Sequence, residues 1–209
     1  MNGEQAEFAS ALAIRQGAYL PHWTRTGAVY FVTFRLADSL PARVLRRWQA
    51  HRDHILARAS QVGRPLTDSE QAQLSRLRSR RVERWLDRGA GECVLRDGRA
   101  ASIVQRAMLH FHGDWYDLAC WCVMPNHVHA VLHPRVGHAL ESILHSWKSF
   151  TAHEINKTIG RRGAVWQPEY YDHLIRDAQE HGHFVRYTLG NPAAAGLVGW
   201  PWVGRTGSC

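Results

Sequence analysis

The stretch Trp115-Tyr-Asp-Leu-Ala-Cys-Trp-Cys-Val-Met-Pro-Asn-His-Val-His-Ala-Val-Leu-His133 contains two runs of strand-forming residues separated by a Pro125-Asn126 turn. The first run, to Val123, is apolar almost throughout, as expected of a strand covered on both faces. The second, from His127 to His133, is divided. Side chains alternate along a strand, so His127 and His129 project from one face about 7 Å apart, while Val128, Ala130 and Leu132 project from the other. The apolar face can be buried and the histidine face can hold an ion.

Upstream, Val29-Tyr-Phe-Val-Thr-Phe-Arg-Leu36 is rich in β-branched and aromatic residues and is bounded by Gly27 and Asp38-Ser39, which predicts a further, central strand. Pro41 opens a helical pattern with Val44, Trp48, Ile55 and Leu56 near one face, ending around Arg58. Thr67-x-x-Glu70 is a capping box for a second helix running to Gly89, and Ala100 to His112 predicts a third. Downstream, Leu140, Leu144, Trp147, Phe150 and Ile155 recur at near-helical spacing in a helix from about His138 to Lys157. Trp166 to Ile175 reads as a hairpin or extended segment. Asp177-x-x-Glu180 starts a last helix, predicted to stop at Leu189 or Gly190 because Pro192 opposes continuation. This order predicts an α+β domain, an antiparallel sheet with its helices mainly on one face, rather than a doubly wound parallel one.

A chain of 209 residues has room for one domain, and 45% apolar with 21% charged residues excludes a disordered or low-complexity polypeptide. The formal net charge of +8 favours a polyanionic partner, nucleic acid before acidic lipid. No run approaches the roughly 18 apolar residues of a membrane span, and Glu4 and Glu7 stand where a signal peptide would be basic. A cytoplasmic protein is expected. Cys93, Cys120, Cys122 and Cys209 are too few and too unevenly spaced for a secreted disulfide scaffold, and read as reduced thiols.

On its own the histidine pair is weak evidence. With 14 histidines in 209 residues chance predicts about one His-x-His, and the chain holds three. His110-Phe-His112 and His181-Gly-His183 fall on predicted helices, where positions i and i+2 diverge by about 200°. Only the strand pair can converge; histidines that bind no ion are the alternative. Cys120 and Cys122 would add two thiols, but single-residue spacing within each pair is too tight for a structural zinc knuckle. Near the C-terminus, Phe184-Val-Arg-Tyr-Thr-Leu-Gly-Asn-Pro192 places Tyr187 and Asn191 four apart, on one face of a helix. A phenol beside an ion suits phosphoryl transfer, the ion neutralising phosphate charge while the phenolate attacks. A half-buried tyrosine before an Asn-Pro stop is the alternative.

Joined together, these segments resemble the REP-associated tyrosine transposases, relatives of the single-tyrosine insertion-sequence transposases. The resemblance is carried by Leu20-Pro-His-Trp23, Tyr30-Phe-Val-Thr-Phe-Arg-Leu36, Val123-Met-Pro-Asn-His-Val-His129, Trp147-Lys-Ser-Phe-Thr151, Trp166-Gln167, Tyr171-Asp172, Ile175-Arg-Asp177, Tyr187-Thr-Leu-Gly-Asn-Pro192 and Ala195-Gly-Leu-Val198. It covers roughly residues 19–199 of a single catalytic domain, with about 60–93 as a helical elaboration and 200–209 as a tail. It implies a ferredoxin-like HUH endonuclease fold (histidine, hydrophobic residue, histidine) and cleavage and rejoining of single-stranded DNA at REP-type hairpins. By the same resemblance His127 and His129 correspond to paired metal ligands, Asn191 to the third protein ligand and Tyr187 to the nucleophile, whose attack leaves a 5′-phosphotyrosine and a free 3′-hydroxyl. The implied cofactor is Mg²⁺ or Mn²⁺, although two imidazoles and an amide would by softness suit a transition ion. The implied partner is single-stranded hairpin DNA, bound by a monomer or homodimer associated with the nucleoid and not with a membrane.

Other positions complete this reading. Lys148 is a candidate accessory cation for deprotonating Tyr187, and otherwise an exposed lysine. His133 shares the histidine face and would replace Asn191 as ligand if the last helix unwound at Gly190, where the family carries bulkier residues. Tyr170 and Tyr171 are rival nucleophiles in a predicted strand. Arg76, Arg80 and Arg84 are candidate DNA contacts by charge alone. Two other classes of function compete: a catalytically silent, domesticated hairpin-binding protein that uses the basic excess and nine tryptophans, and a metal hydrolase in which Tyr187 is structural.

Overall fold

The structure, a computed structural model, describes residues 13–16, 21–25, 27–40, 42–64, 66–67, 69–70, 73 and 89–207. Among these residues seven strands are formed: β1 Ala13–Gln16, β2 Pro21–Thr24, β3 Val29–Leu36, β4 Tyr116–Val123, β5 His127–Pro134, β6 Trp166–Ile175 and β7 Val203–Arg205. The helices are α1 Ala42–Gln61, α2 Gly98–His110, α3 Leu140–Ile159 and α4 Ala178–Ala194. β1 and β2 pair as a separate hairpin, and the remaining strands form one antiparallel sheet in the order β6-β3-β5-β4-β7. Helical connections link β3 to β4 and β5 to β6, while a tight turn links β4 to β5. The four strands β6-β3-β5-β4 therefore have the split β-α-β arrangement of a ferredoxin-like α+β fold.

Alternation decides what each face of the sheet meets. Tyr30, Val32, Phe34 and Leu36 of β3 share a face with Val128, Ala130 and Leu132 of β5, and pack with Val104 and Met108 of α2 and Ile143, Leu144 and Trp147 of α3. The opposite face presents Phe31, Cys120 and Val131, and α4 covers it with Phe184, Val185, Tyr187 and Leu189. α2 and α3 take one side, the face expected to carry most of the helices, and α4 takes the other. The histidine face is thus buried as well.

Tyr116 ties the first layer together. Its hydroxyl donates to the Met108 carbonyl at 2.8 Å and accepts from Trp147 Nε1 at 2.8 Å, joining β4, α2 and α3. Tyr116→Phe strands a buried N–H and a carbonyl, and is expected to cost about 1–3 kcal/mol, read as a lower urea midpoint with unchanged slope.

Trp166 to Ile175, expected as a hairpin or an extended segment, is the latter: a single edge strand, β6, with an irregularity between Phe34 and Leu36 of its partner β3. Two expectations change. The supposed tail at 200–209 contributes β7: the Val123 N–H donates to the Trp202 carbonyl at 2.8 Å, and Trp200 Nε1 donates to the Val123 carbonyl at 2.7 Å. Gly204 allows this closure, because a Cβ there would overlap the Trp121 ring. His112 lies just beyond α2, where its Nδ1 accepts from the Leu118 N–H at 3.0 Å.

In the elaboration the capping box forms as predicted. The Thr67 N–H donates to Glu70 Oε2 at 2.9 Å and the Glu70 N–H to Thr67 Oγ1 at 3.2 Å. Arg76, Arg80 and Arg84 lie outside the described residues. Among those described, no helix is long and apolar enough to cross a membrane.

Candidate active site

The site is built on two neighbouring strands and one helix. Register places Thr33 of β3 opposite His129 of β5, Arg35 opposite His127, and Cys122 of β4 opposite His129 on its other side. Cross-strand neighbours share a face, so these side chains form adjoining rows beneath α4. His127 and His129 are 1% and 2% exposed, and their Nε2 atoms approach to 3.0 Å. Twist and rotamer choice have closed the spacing of an ideal flat strand. Burial holds both imidazoles in the neutral form: His129 is pushed down to about 3, and His127 falls well below the usual histidine range through burial, with His129 and Arg35 adding to it. A neutral ring nitrogen is a metal ligand; an imidazolium is not.

Each ring is held from behind. His127 Nδ1 lies 2.8 Å from Asn126 Oδ1, and the Asn126 amide is itself fixed by donating from Nδ2 to the Ala90 carbonyl at 3.0 Å. His129 Nδ1 lies 2.8 Å from Thr33 Oγ1. These two partners escaped the sequence reading. Asn126 was visible only as a turn residue, and Thr33 lies 96 positions from the histidine it meets.

α4 brings the phenol. Its first turn is capped by Asp177, whose side chain accepts from the Glu180 N–H at 2.8 Å. Phe184 then stacks on Phe31 at 4.5 Å between centroids, and Phe31 stacks on His129 at 5.4 Å. One turn on, the Tyr187 ring meets His129 edge-on at 5.3 Å and Phe31 edge-on at 5.7 Å. The helix does not unwind at Gly190. It continues through Pro192 to Ala194, giving up the one ladder bond for which Pro192 has no N–H. Asn191 therefore stays four residues from Tyr187 on a continuous helix, only 5% exposed, and its Oδ1 is buried without a hydrogen-bond partner.

The remaining candidates fall elsewhere. His133 is four residues from His129, about 13 Å along the strand, and stands opposite Asp117 at the far end. With α4 intact, the substitution of His133 for Asn191 has no geometric basis. Lys148 belongs to α3, on the other side of the sheet, and its Nζ donates to the Pro168 carbonyl at 2.6 Å in the irregular part of β6. Burial lowers its ammonium to about 8, with Arg35 acting in the same direction and Glu169 against it. Tyr170 packs in the α2–α3 core, whereas Tyr171 meets Phe31 edge-on at 6.0 Å on the site face. Cys120 and Cys122 are buried and not joined in a disulfide, and burial, with Cys120 nearby, raises Cys122 to about 12. Among the described residues, no group of three or more His, Cys, Asp or Glu side chains is placed to hold a metal. A zinc knuckle is therefore absent from them.

Glu180 makes the mounting of α4 sensitive to acid. Its carboxylate accepts from the Arg176 N–H and guanidinium and from His173, and the Arg176 bonds above all lower it to about 2. A carboxyl depressed from its ordinary 4.5 stabilises the fold fully above that value and loses the contribution as pH falls towards 2. Glu180→Gln is expected to flatten the stability–pH curve in that window, measured by urea unfolding at pH 6 and at successively lower pH.

The segment holding the histidine pair and the tyrosine, residues 99–187, matches the model of the family described as Transposase IS200 like. At the level of family, the resemblance carried by the sequence motifs stands. Among curated proteins, the REP-associated tyrosine transposase of Escherichia coli K12 is 25% identical over 91 residues, which are 42% of this chain and 53% of that protein. The match thus spans about half the length of that relative. Among solved structures, a REP-associated tyrosine transposase bound to a REP hairpin aligns over 92% of this chain and 82% of its own, at 16% identity and a TM-score of 0.48.

Proposed function

We propose that this chain is a metal-dependent transposase that cuts and rejoins single-stranded DNA at REP-type hairpins, with Tyr187 as nucleophile. The observation that carries the reading is the packing of the Tyr187 ring on His129, whose Nε2 is 3.0 Å from that of His127. The donor set fits a divalent ion. Two ligands about 2.0–2.1 Å from an octahedral ion and at right angles to one another lie about 3.0 Å apart, and the unsatisfied Asn191 Oδ1 supplies an oxygen. His127, His129 and Asn191 would hold Mg²⁺ or Mn²⁺, which when bound neutralises charge on the scissile phosphate.

The chain's own groups do the rest. α4 and its aromatic stack hold the phenol in place. The deprotonated Tyr187 oxygen attacks phosphorus, a phosphotyrosine ester to the 5′ side forms, and the bond to the 3′ oxygen breaks, that oxygen leaving as a hydroxyl once protonated. Ester exchange conserves the bond, so a later 3′-hydroxyl can reverse the step without a nucleotide cofactor. The net charge of +8 suits the polyanionic substrate.

The test is incubation of the purified chain with a labelled single-stranded hairpin and Mn²⁺, followed by denaturing electrophoresis. Label migrating with the protein is expected. Free 5′-phosphate ends without an adduct would indicate hydrolysis by water, and binding without cleavage at any Mn²⁺ concentration would indicate a catalytically silent hairpin-binding protein. Either result overturns the proposal.

A further inference from the structure

Between α2 and α3, on the side of the sheet away from the histidines, lies a cleft of about 470 Å³. Helical spacing builds it. Ile103, Ala107 and His110 recur four and three apart along α2, and Trp147, Phe150 and Glu154 three and four apart along α3, so each helix contributes one stripe to the cleft. Ile103, Ala107 and Trp147 are buried and make its floor. Phe150 differs from them: its spacing groups it with the buried residues of α3, yet it is 55% exposed, on the rim. Just beyond α2 the Phe111 ring, held flat against Trp115 at 3.9 Å between centroids, also lines the cleft. Arg106 stands on the α2 wall and Glu154 on the α3 wall.

Size and chemistry select the occupant. A stable protein partner needs about 800 Å² of surface on each side, whereas the cleft has the volume of a small-molecule pocket, about 300–1,000 Å³. An exposed aromatic ring beside an apolar floor offers a stacking surface to another flat ring. Charge then orients that ring. The Arg106 guanidinium attracts a phosphate to the α2 side, while the Glu154 carboxylate repels one from the α3 side and accepts from a ring's amino group. A flat ring with N–H donors and a phosphate to one side is a nucleotide, and a base within a duplex shows only its edges, so the ring has to be unpaired. We infer that the α2–α3 cleft takes one unpaired base of the bound DNA, stacked on Phe150, with its phosphate against Arg106. Tyr187 lies across the sheet from the cleft, so a base held there is recognised and not cut. The inference rests on the DNA-binding part of the proposed function, not on its chemistry.

The experiment measures binding of the full chain, without metal and at low salt, to two labelled DNAs: a hairpin with an unpaired flank and a fully paired duplex of the same stem. Phe150→Ala is expected to weaken binding of the flanked hairpin about 5–150-fold, the range for one lost base–aromatic stack, and to leave the duplex within about twofold of wild type. The unchanged duplex affinity also shows that the variant is folded. Phe150→Tyr, which keeps the ring, is expected to bind the flanked hairpin as wild type does. Arg106→Gln is expected to reduce the slope of log affinity against log salt by about one phosphate's share. Equal weakening on both DNAs in Phe150→Ala, or none, overturns the inference while leaving the DNA reading in place. So does a wild-type chain that sediments as a dimer while Phe150→Ala sediments as a monomer, since a second copy would then fill the cleft. A wild-type chain that binds neither DNA overturns the DNA reading and the cleft assignment with it.

Discussion

Tyr187→Phe is expected to abolish the covalent protein–DNA adduct, a fall of more than about 10⁴-fold, the scale on which loss of a covalent nucleophile acts. Hairpin binding should stay within about twofold of wild type. The two outcomes separate because the substitution removes one oxygen and keeps the ring. The edge-on contacts to His129 and Phe31, at 5.3 and 5.7 Å, are made by carbon and survive the change. Phe184 still stacks on Phe31, so α4 stays mounted. An unchanged near-ultraviolet spectrum with no adduct is the expected pair of observations. An adduct that persists would move the nucleophile to another phenol. Tyr171, which also meets Phe31 on the site face, is then the residue to replace, whereas Tyr170 on the opposite face is out of reach.

What the sequence disclosed follows from local rules. Period-two alternation in His127 to Leu132 was enough to put both histidines on one face and three apolar residues on the other, and register with β3 bears it out. The capping signals at Thr67 and Asp177 were equally legible, because a cap is decided within four residues. Long-range facts were not. That α4 would cover the histidine face depends on Phe184 finding Phe31, a contact spanning most of the chain, and nothing in either segment alone names the other. The three-residue β7 with a central glycine is too short to show alternation, and its place beside β4 depends on Trp121 having no Cβ to clash with at Gly204. Pro192 misled because its ring removes a single N–H, a loss the helix absorbs two residues before its end.

Asn191→Leu is the second large effect, and its two consequences have opposite signs. The Asn191 Oδ1 is buried without a hydrogen-bond partner, a situation that costs about 1–3 kcal/mol in a folded chain. Leucine keeps the branch at Cγ and removes the polar atom, so the metal-free protein should melt higher, by about 2–4 °C per kcal/mol recovered. Mn²⁺-dependent cleavage should nevertheless drop by more than about 10²-fold, because an apolar group cannot complete the ligand set. Asn191→Asp should behave in the reverse manner. It places a carboxylate in the same buried position, lowers the melting temperature without metal, and regains it when Mn²⁺ is added, since an ion bound only by the folded state stabilises that state. Thermal unfolding of the three proteins with and without Mn²⁺, set beside their cleavage rates, reads both signs at once. A leucine variant that melts lower, or that still cleaves, would mean that the orphaned oxygen is a packing fault rather than a ligand, and that the histidine pair takes its third partner from elsewhere.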